Sequence, residues 1–276
     1  MGRLAVVIIM LMVLSVLQGC IRISTRVSVN PDGSGTVTER VVMNLSYLKS
    51  MLGSEKAEKQ GGSANVPSRE DLEKIASVMG DEVRLKGVRN YTDGFFEGYE
   101  AVYSFKDVAG ISISGRPDKQ SGVDSLRAVS VSGSDRKDRI GFRFFRGSPA
   151  KLVIVMPKQN SLLEPEKNDS QANPPTNPDQ QKLSLAIIRE AFSGTRMRLA
   201  VAVTGEIVST DAACMDSAEV ILADVDFDRL LMEEDPDAAL LRFMGYGSDT
   251  EAISDMLNRV PGVRGETKKE VTVLFQ

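Results

Sequence analysis

Two alternating runs around one turn constrain this chain most. Ile23, Thr25, Val27 and Val29 alternate with Ser24, Arg26 and Ser28, the period-two pattern of a strand with one buried face. Asn30-Pro31-Asp32-Gly33-Ser34-Gly35 follows and is dense in turn formers. Thr36–Met43 then reads as a second strand. The three pieces predict a β-hairpin and commit the start of the folded part to a sheet.

Further along, Asn44 can cap a helix carrying Leu45, Leu48 and Leu52, and Gly61-Gly62-Ser63 marks a loop. Ser68-Arg69-Glu70-Asp71 has capping-box-like spacing. Leu72, Ile75, Ala76 and Met79 follow at i, i+3, i+4 and i+7, and Gly80 stops the helix. Strands are expected at Val83–Arg89 and Gly98–Phe105 around a Tyr91-Thr92-Asp93-Gly94 turn, with Tyr99, Ala101, Tyr103 and Phe105 on one face. More are expected at Leu126–Ser132, Arg139–Phe145 and Lys151–Met156, with hairpin loops at Gly115–Ser125 and Gly133–Asp138.

Residues 157–182 hold five of the eleven prolines among many Asn and Gln, and read as a long extended or flexible loop. Leu183–Phe192 resumes as an apolar helix. Met197–Val203, Glu206–Ser209, Glu219–Ala223 and Glu270–Phe275 read as strands. Asp235-Pro236 and Ser248-Asp249-Thr250-Glu251 start helices that Gly245 and Pro261 end. The sum is an α+β chain, mainly antiparallel sheet with segregated helices, and without the regular strand–helix alternation of a parallel doubly wound sheet. The expected division is a leader at 1–19, an antiparallel α+β domain at 20–223 interrupted by the 157–182 loop, and a C-terminal helical segment with a final strand at 224–276.

The leader has its own logic. Arg3 precedes Leu4–Val16, a run without charge. At about 13 residues it is too short for a hydrocarbon core that needs roughly 20, and it reads as a secretory signal. It ends in Leu17-Gln18-Gly19-Cys20, which resembles the lipobox of bacterial lipoproteins. The resemblance implies that the Cys20 thiol is alkylated with diacylglycerol, that the chain is cut before Cys20, and that the new amine is usually acylated. Thioether formation needs a thiolate nucleophile, and two or three acyl chains hold a bilayer where one does so only marginally. Ile21 after the cysteine is not the Asp that signals inner-membrane retention. Attachment to the outer membrane, facing the periplasm, is therefore favoured if the host has two membranes.

Composition excludes several roles. Removing residues 1–19 from the 276 leaves 257, and losing Arg3 takes the formal charge from −4 to −5. A mildly acidic exported chain does not suit nucleic-acid binding, which wants a basic face. No Lys/Arg run makes an anionic-lipid patch. Histidine is absent, which removes His triads, His metal ligands and His switches. Tryptophan is absent and aromatics are 5%, so stacking platforms for sugars or bases are disfavoured. With Cys20 carrying lipid, Cys214 has no partner within the chain, and its apolar neighbours predict a buried, inert thiol.

Three patterns bear on chemistry. Ser46-Tyr47-Leu48-Lys49 fits S-x-x-K, in which a neutral lysine one turn away could deprotonate the serine. The S-D-N-like and K-T-G elements that accompany it in penicillin-binding proteins are missing, and a solvated Lys49 is the expectation. Asp224, Asp226 and Asp228, with Asp235 at the twelfth position, outline a calcium loop. Arg229 stands where that loop needs Gly, however, and Phe227, Leu230 and Leu231 fit the buried face of a short helix better. Glu233-Glu234-Asp235 reads as a solvated charge run. No catalytic, metal or cofactor-binding residue is assigned, no cofactor is expected, and Cys20 is the one modification site.

Two stretches together resemble the LppM-like domain of bacterial lipoproteins. One is the Cys20 start with Val27-Ser28-Val29-Asn30-Pro31-Asp32-Gly33-Ser34-Gly35-Thr36-Val37. The other is Lys86-Gly87-Val88 with Gly98-Tyr99-Glu100-Ala101 and Phe105-Lys106-Asp107-Val108. The resemblance implies a hairpin leaving the lipidated cysteine, then a helix and further strands, and it offers no catalytic residues. The family often carries a C-terminal membrane helix, where this chain is expected to end in capped helices and a strand. The reading is a non-enzymatic, lipid-anchored envelope protein that binds a lipid, glycolipid or protein partner. The alternatives are a serine hydrolase using Ser46 and Lys49, and a structural envelope-assembly protein.

Overall fold

The computed structural model describes residues 21–44, 66–94, 96–114, 139–157, 189, 192–232 and 260–276. The expected hairpin forms as β1 (Ile21–Val29) and β2 (Gly35–Asn44), paired from Ile21↔Met43 to Val29↔Gly35. Its turn is tight for a local reason. Gly33 has φ +88°, and a Cβ there would meet the Phe144 ring at 2.8 Å, so a side chain fits neither the backbone nor the space. Asp32 closes the turn by accepting from the Ser34 amide at 2.9 Å.

Helix α1 (Arg69–Met79) starts as its spacing predicts, with Ser68 Oγ accepting from the Asp71 amide at 3.1 Å, and it buries Leu72, Ala76 and Met79. The hairpin β3 (Arg84–Asp93) and β4 (Phe96–Phe105) is longer than expected. Tyr91, Thr92 and Asp93 are strand residues rather than turn, because pairing continues to Asp93↔Phe96. The Tyr91 ring explains the extension: it packs with Val42 and Phe96 and lies 3.9 Å under the Arg40 guanidinium.

Short β5 (Ser112–Ser114), β6 (Arg139–Phe145) and β7 (Ala150–Val155) follow, then β8 (Arg196–Val203), β9 (Ile207–Thr210), β10 (Met215–Asp216) and β11 (Glu219–Asp226). Helix α2 (Phe227–Leu231), β12 (Val263–Gly265) and β13 (Glu270–Phe275) complete the order. One sheet has eight strands in the order β10-β11-β8-β1-β2-β4-β3, with β12 also on β11; the other has five, β5-β6-β7-β13-β9. Pairing is antiparallel throughout except for β1 with β8, which run parallel. The result is a sheet-dominated α+β fold with two α-helices among the described residues.

Strands β8 and β9 belong to different sheets. The chain crosses at Gly205, with φ +112° and no room for a Cβ beside the Gln276 carbonyl. The boundary expected at 223/224 falls inside β11, while β12 and β13 add strands to both sheets. Inward residues of both sheets and α1 form one hydrophobic core, including Val27, Val37, Leu72, Tyr103, Leu152, Leu199 and Val273. Several expectations lie outside the described residues: the leader at 1–19, the helix after Asn44, the loop at Gly61-Gly62-Ser63, the loops at 115–125 and 133–138, the strand at 126–132, nearly all of 157–182, all but two residues of the helix at 183–192, and the helices of 233–259.

Candidate functional site

The alternation that makes β1 and β2 also puts polar groups inside. Val37, Glu39 and Val41 share the inward face of β2, opposite Val27, Thr25 and Ile23 of β1. On the other side Val37, Glu39 and Val41 pair with Tyr103, Ala101 and Tyr99 of β4. A row therefore crosses the sheet as Leu199–Thr25–Glu39–Ala101–Val88. Glu39 sits at its middle and is fully buried.

Ala101 is small, so the tyrosines two residues either side of it reach over toward Glu39 from the diagonal positions. Tyr99 donates its phenol proton to Glu39 Oε1 at 2.8 Å. Glu39 Oε2, the Tyr103 hydroxyl and Thr25 Oγ1 are buried and have no hydrogen-bond partner among the described residues. A buried polar atom left unsatisfied costs about 1–3 kcal/mol. Three in one layer are an unusual concentration for a core that is otherwise apolar.

The electrostatics follow from burial. Desolvation pushes the Glu39 carboxyl up to about 8, opposed only by the Tyr99 hydrogen bond. Burial, and then the Glu39 charge, raise the Tyr103 phenol above its usual value. At neutral pH Glu39 is mainly the uncharged acid, able to donate one hydrogen bond and accept others. Its unmet capacity is of the kind an uncharged hydroxyl or amide satisfies. Sequence reasoning placed Thr25 and the tyrosines on inward faces and overlooked Glu39. The signal was its phase: in Val37-Thr38-Glu39-Arg40-Val41 the acid shares the valine face.

The outer face of the same sheet is ionic. Its matching row reads Arg89–Glu100–Arg40–Ser24–Arg198–Asp224–Arg264. Glu100 is held by Arg40 and Arg89, each at 2.6 Å. Burial raises its carboxyl, but the two arginine hydrogen bonds outweigh that and leave it below the usual range. Asp224 accepts from Arg196 and Arg264, each at 3.1 Å. These acids are saturated by arginines, so the row is a structural lattice.

The other sequence candidates separate. Asp224 faces arginines, Asp226 caps α2 through the Arg229 amide at 3.3 Å, and Asp228 accepts from the Gly194 amide at 2.6 Å. Three acids with three different partners do not form a calcium loop, and among the described residues no group of acids, Cys or His could hold a metal. Phe227 and Leu230 are buried on α2, as its pattern predicts. Cys214 is free and half-buried rather than buried, and desolvation raises its thiol. Cys20, Ser46, Lys49, Asp235 and the 233–235 run lie outside the described residues. Among those residues no helix is long and apolar enough to cross a membrane.

No family model and no curated protein matches the chain. Among solved structures it is similar to the folded domain of the Mycobacterium tuberculosis LppM protein, determined by NMR. That match has 11% identity and a TM-score of 0.30, over 74% of this chain and 81% of that one. A likeness of that size adds nothing to the reading of the site.

Proposed function

We propose that this is a non-enzymatic, lipid-anchored protein of the bacterial envelope that holds an apolar ligand with an uncharged polar group, a lipid or glycolipid, in its core. One observation carries the reading: Thr25 Oγ1, Glu39 Oε2 and the Tyr103 hydroxyl lie buried and unpartnered on adjacent strands. A ligand hydroxyl placed there satisfies them and recovers the cost of leaving them dry, and its hydrocarbon part joins an apolar interlayer. The anchor part rests on the Leu17–Cys20 pattern and the short apolar leader. On this reading the ligand comes from the membrane that holds the protein, with the outer membrane favoured in a two-membrane host.

The test is mass spectrometry of lipid extracted from the purified chain lacking residues 1–20, beside Glu39→Leu and Thr25→Val. The expected result is one lipid class near stoichiometric amount with the wild type and much less with either variant. Two variants are used so that misfolding of one, seen by circular dichroism, does not decide the matter. Folded wild type free of lipid after expression in a bacterium would overturn the reading.

A further inference from the structure

We infer that the end of the eight-stranded sheet where β1 begins is the protein's membrane-facing surface, pressed onto phospholipid headgroups by an anchor with no slack. The inference rests on the Cys20 anchor proposed above and goes beyond it, to the orientation of the folded body. Ile21 is already paired with Met43, and Arg22 with both Val42 and Arg196. No free residue separates the sheet from Cys20, and one residue spans at most about 3.6 Å. Strand β1 is also the middle strand of its sheet, held on both sides. A lipid on Cys20 therefore cannot swing the body far from the bilayer or turn its other end down.

What surrounds that end fits a bilayer surface. Arg22 lies 3.8 Å over the Phe96 ring and reaches Asp93 at 3.8 Å, tying β1 to the tip of the β3–β4 hairpin. Its Nε donates to the Gly194 carbonyl at 3.4 Å, and the Gly194 amide donates to Asp228 of α2. Hairpin tip, 193–195 turn and α2 are thus joined around the start of β1. Just past α2, Met232 is 82% exposed. That apolar side chain suits the headgroup boundary. Among the described residues the charges at this end carry no positive excess, with Arg22, Arg196 and Arg229 against Asp93, Glu97, Asp226 and Asp228. Orientation is then set by the short tether and not by attraction to anionic lipid.

The experiment uses the mature lipidated protein, starting at Cys20, in phosphatidylcholine vesicles carrying a headgroup nitroxide quencher. In a Cys214→Ser background, a thiol fluorophore is placed at Thr92→Cys, near the hairpin tip, or at Lys106→Cys, past the far end of β4. Both positions are exposed, and about nine residues of strand put them roughly 30 Å apart. The label at 92 is expected to be quenched several-fold more than the label at 106. The contrast should survive high salt and collapse when a flexible linker is inserted after Cys20. Equal quenching in protein whose intact mass includes the acyl groups would overturn the orientation and leave the anchor standing. Loss of the contrast in salt, or its persistence with the linker, would overturn the role given to the tether. Protein without acyl mass would overturn the anchor, and the orientation with it.

Discussion

Tyr99 donates to Glu39 at 2.8 Å across two paired strands, inside a core that offers the second carboxyl oxygen no partner among the described residues. The pair is a buried acid with half its hydrogen-bonding capacity met. Its energetics can be measured apart from the binding role proposed for it.

Removing the donor should hurt only while the acceptor is there. Tyr99→Phe leaves Glu39 Oε1 unmet and is expected to cost about 1–3 kcal/mol. In a Glu39→Leu background the same change should be nearly neutral. A double-mutant cycle by urea denaturation measures the coupling, and additive effects would show that the bond contributes nothing.

Stability should fall with rising pH because of this one group. The native carboxyl titrates at about 8 and the ordinary value is 4.5. Between them the native chain keeps a proton that the unfolded chain has released. The contribution is therefore full below about 4.5 and lost as pH rises through about 8. The difference is on the order of several kcal/mol. Thermal melts from about pH 6 to about pH 9 should show a declining Tm in the wild type and a flatter profile in Glu39→Gln. Equal slopes would count against a buried titrating Glu39.

The outer ionic row should contribute where its acid is buried and little where it is not. Asp224→Asn strips a buried carboxylate from the half-exposed Arg196 and Arg264 and is expected to cost about 2 kcal/mol, the scale of hydrogen bonds to a charged group. The Arg143–Glu270 pair is half exposed on both sides, so Glu270→Gln should change stability by less than about 0.5 kcal/mol. Chemical denaturation of the two variants gives the comparison.

Two glycines of one hairpin should differ sharply. A Cβ on Gly98 would come within 1.9 Å of the Val41 carbonyl oxygen, whereas one on Gly87 meets nothing within 4 Å. Gly98→Ala should lose about 3 kcal/mol or more, while Gly87→Ala should be close to neutral. Thermal melts decide it, and a tolerated Gly98→Ala would mean that β2 and β4 can separate without loss.

Local patterns made the hairpins and α1 legible. Alternation fixed the inward faces of β1 and β4, Ser68 marked the start of α1, and Glu270–Phe275 is the observed β13. Long-range pairing was not legible. Strand β1 lies parallel to β8, some 170 residues away in Arg22↔Arg196, and nothing in either segment encodes the other. The switch of sheets at Gly205 was hidden for the same reason, since a glycine after a strand reads equally as a hairpin turn. The candidate site was half visible. Its tyrosines were placed inward, but an acid is ordinarily read as outward, and only the phase of Glu39 with Val37 and Val41 argues otherwise.

The lipid anchor proposed at Cys20 underlies both the proposed function and the proposed orientation at the membrane. Its most direct test is the intact mass of the full-length chain expressed in a bacterium, beside Cys20→Ala. Wild type is expected to start at Cys20 and carry the added mass of acyl chains, while the variant keeps its leader and gains none. A wild type that is uncleaved, or cut elsewhere and unmodified, would contradict it.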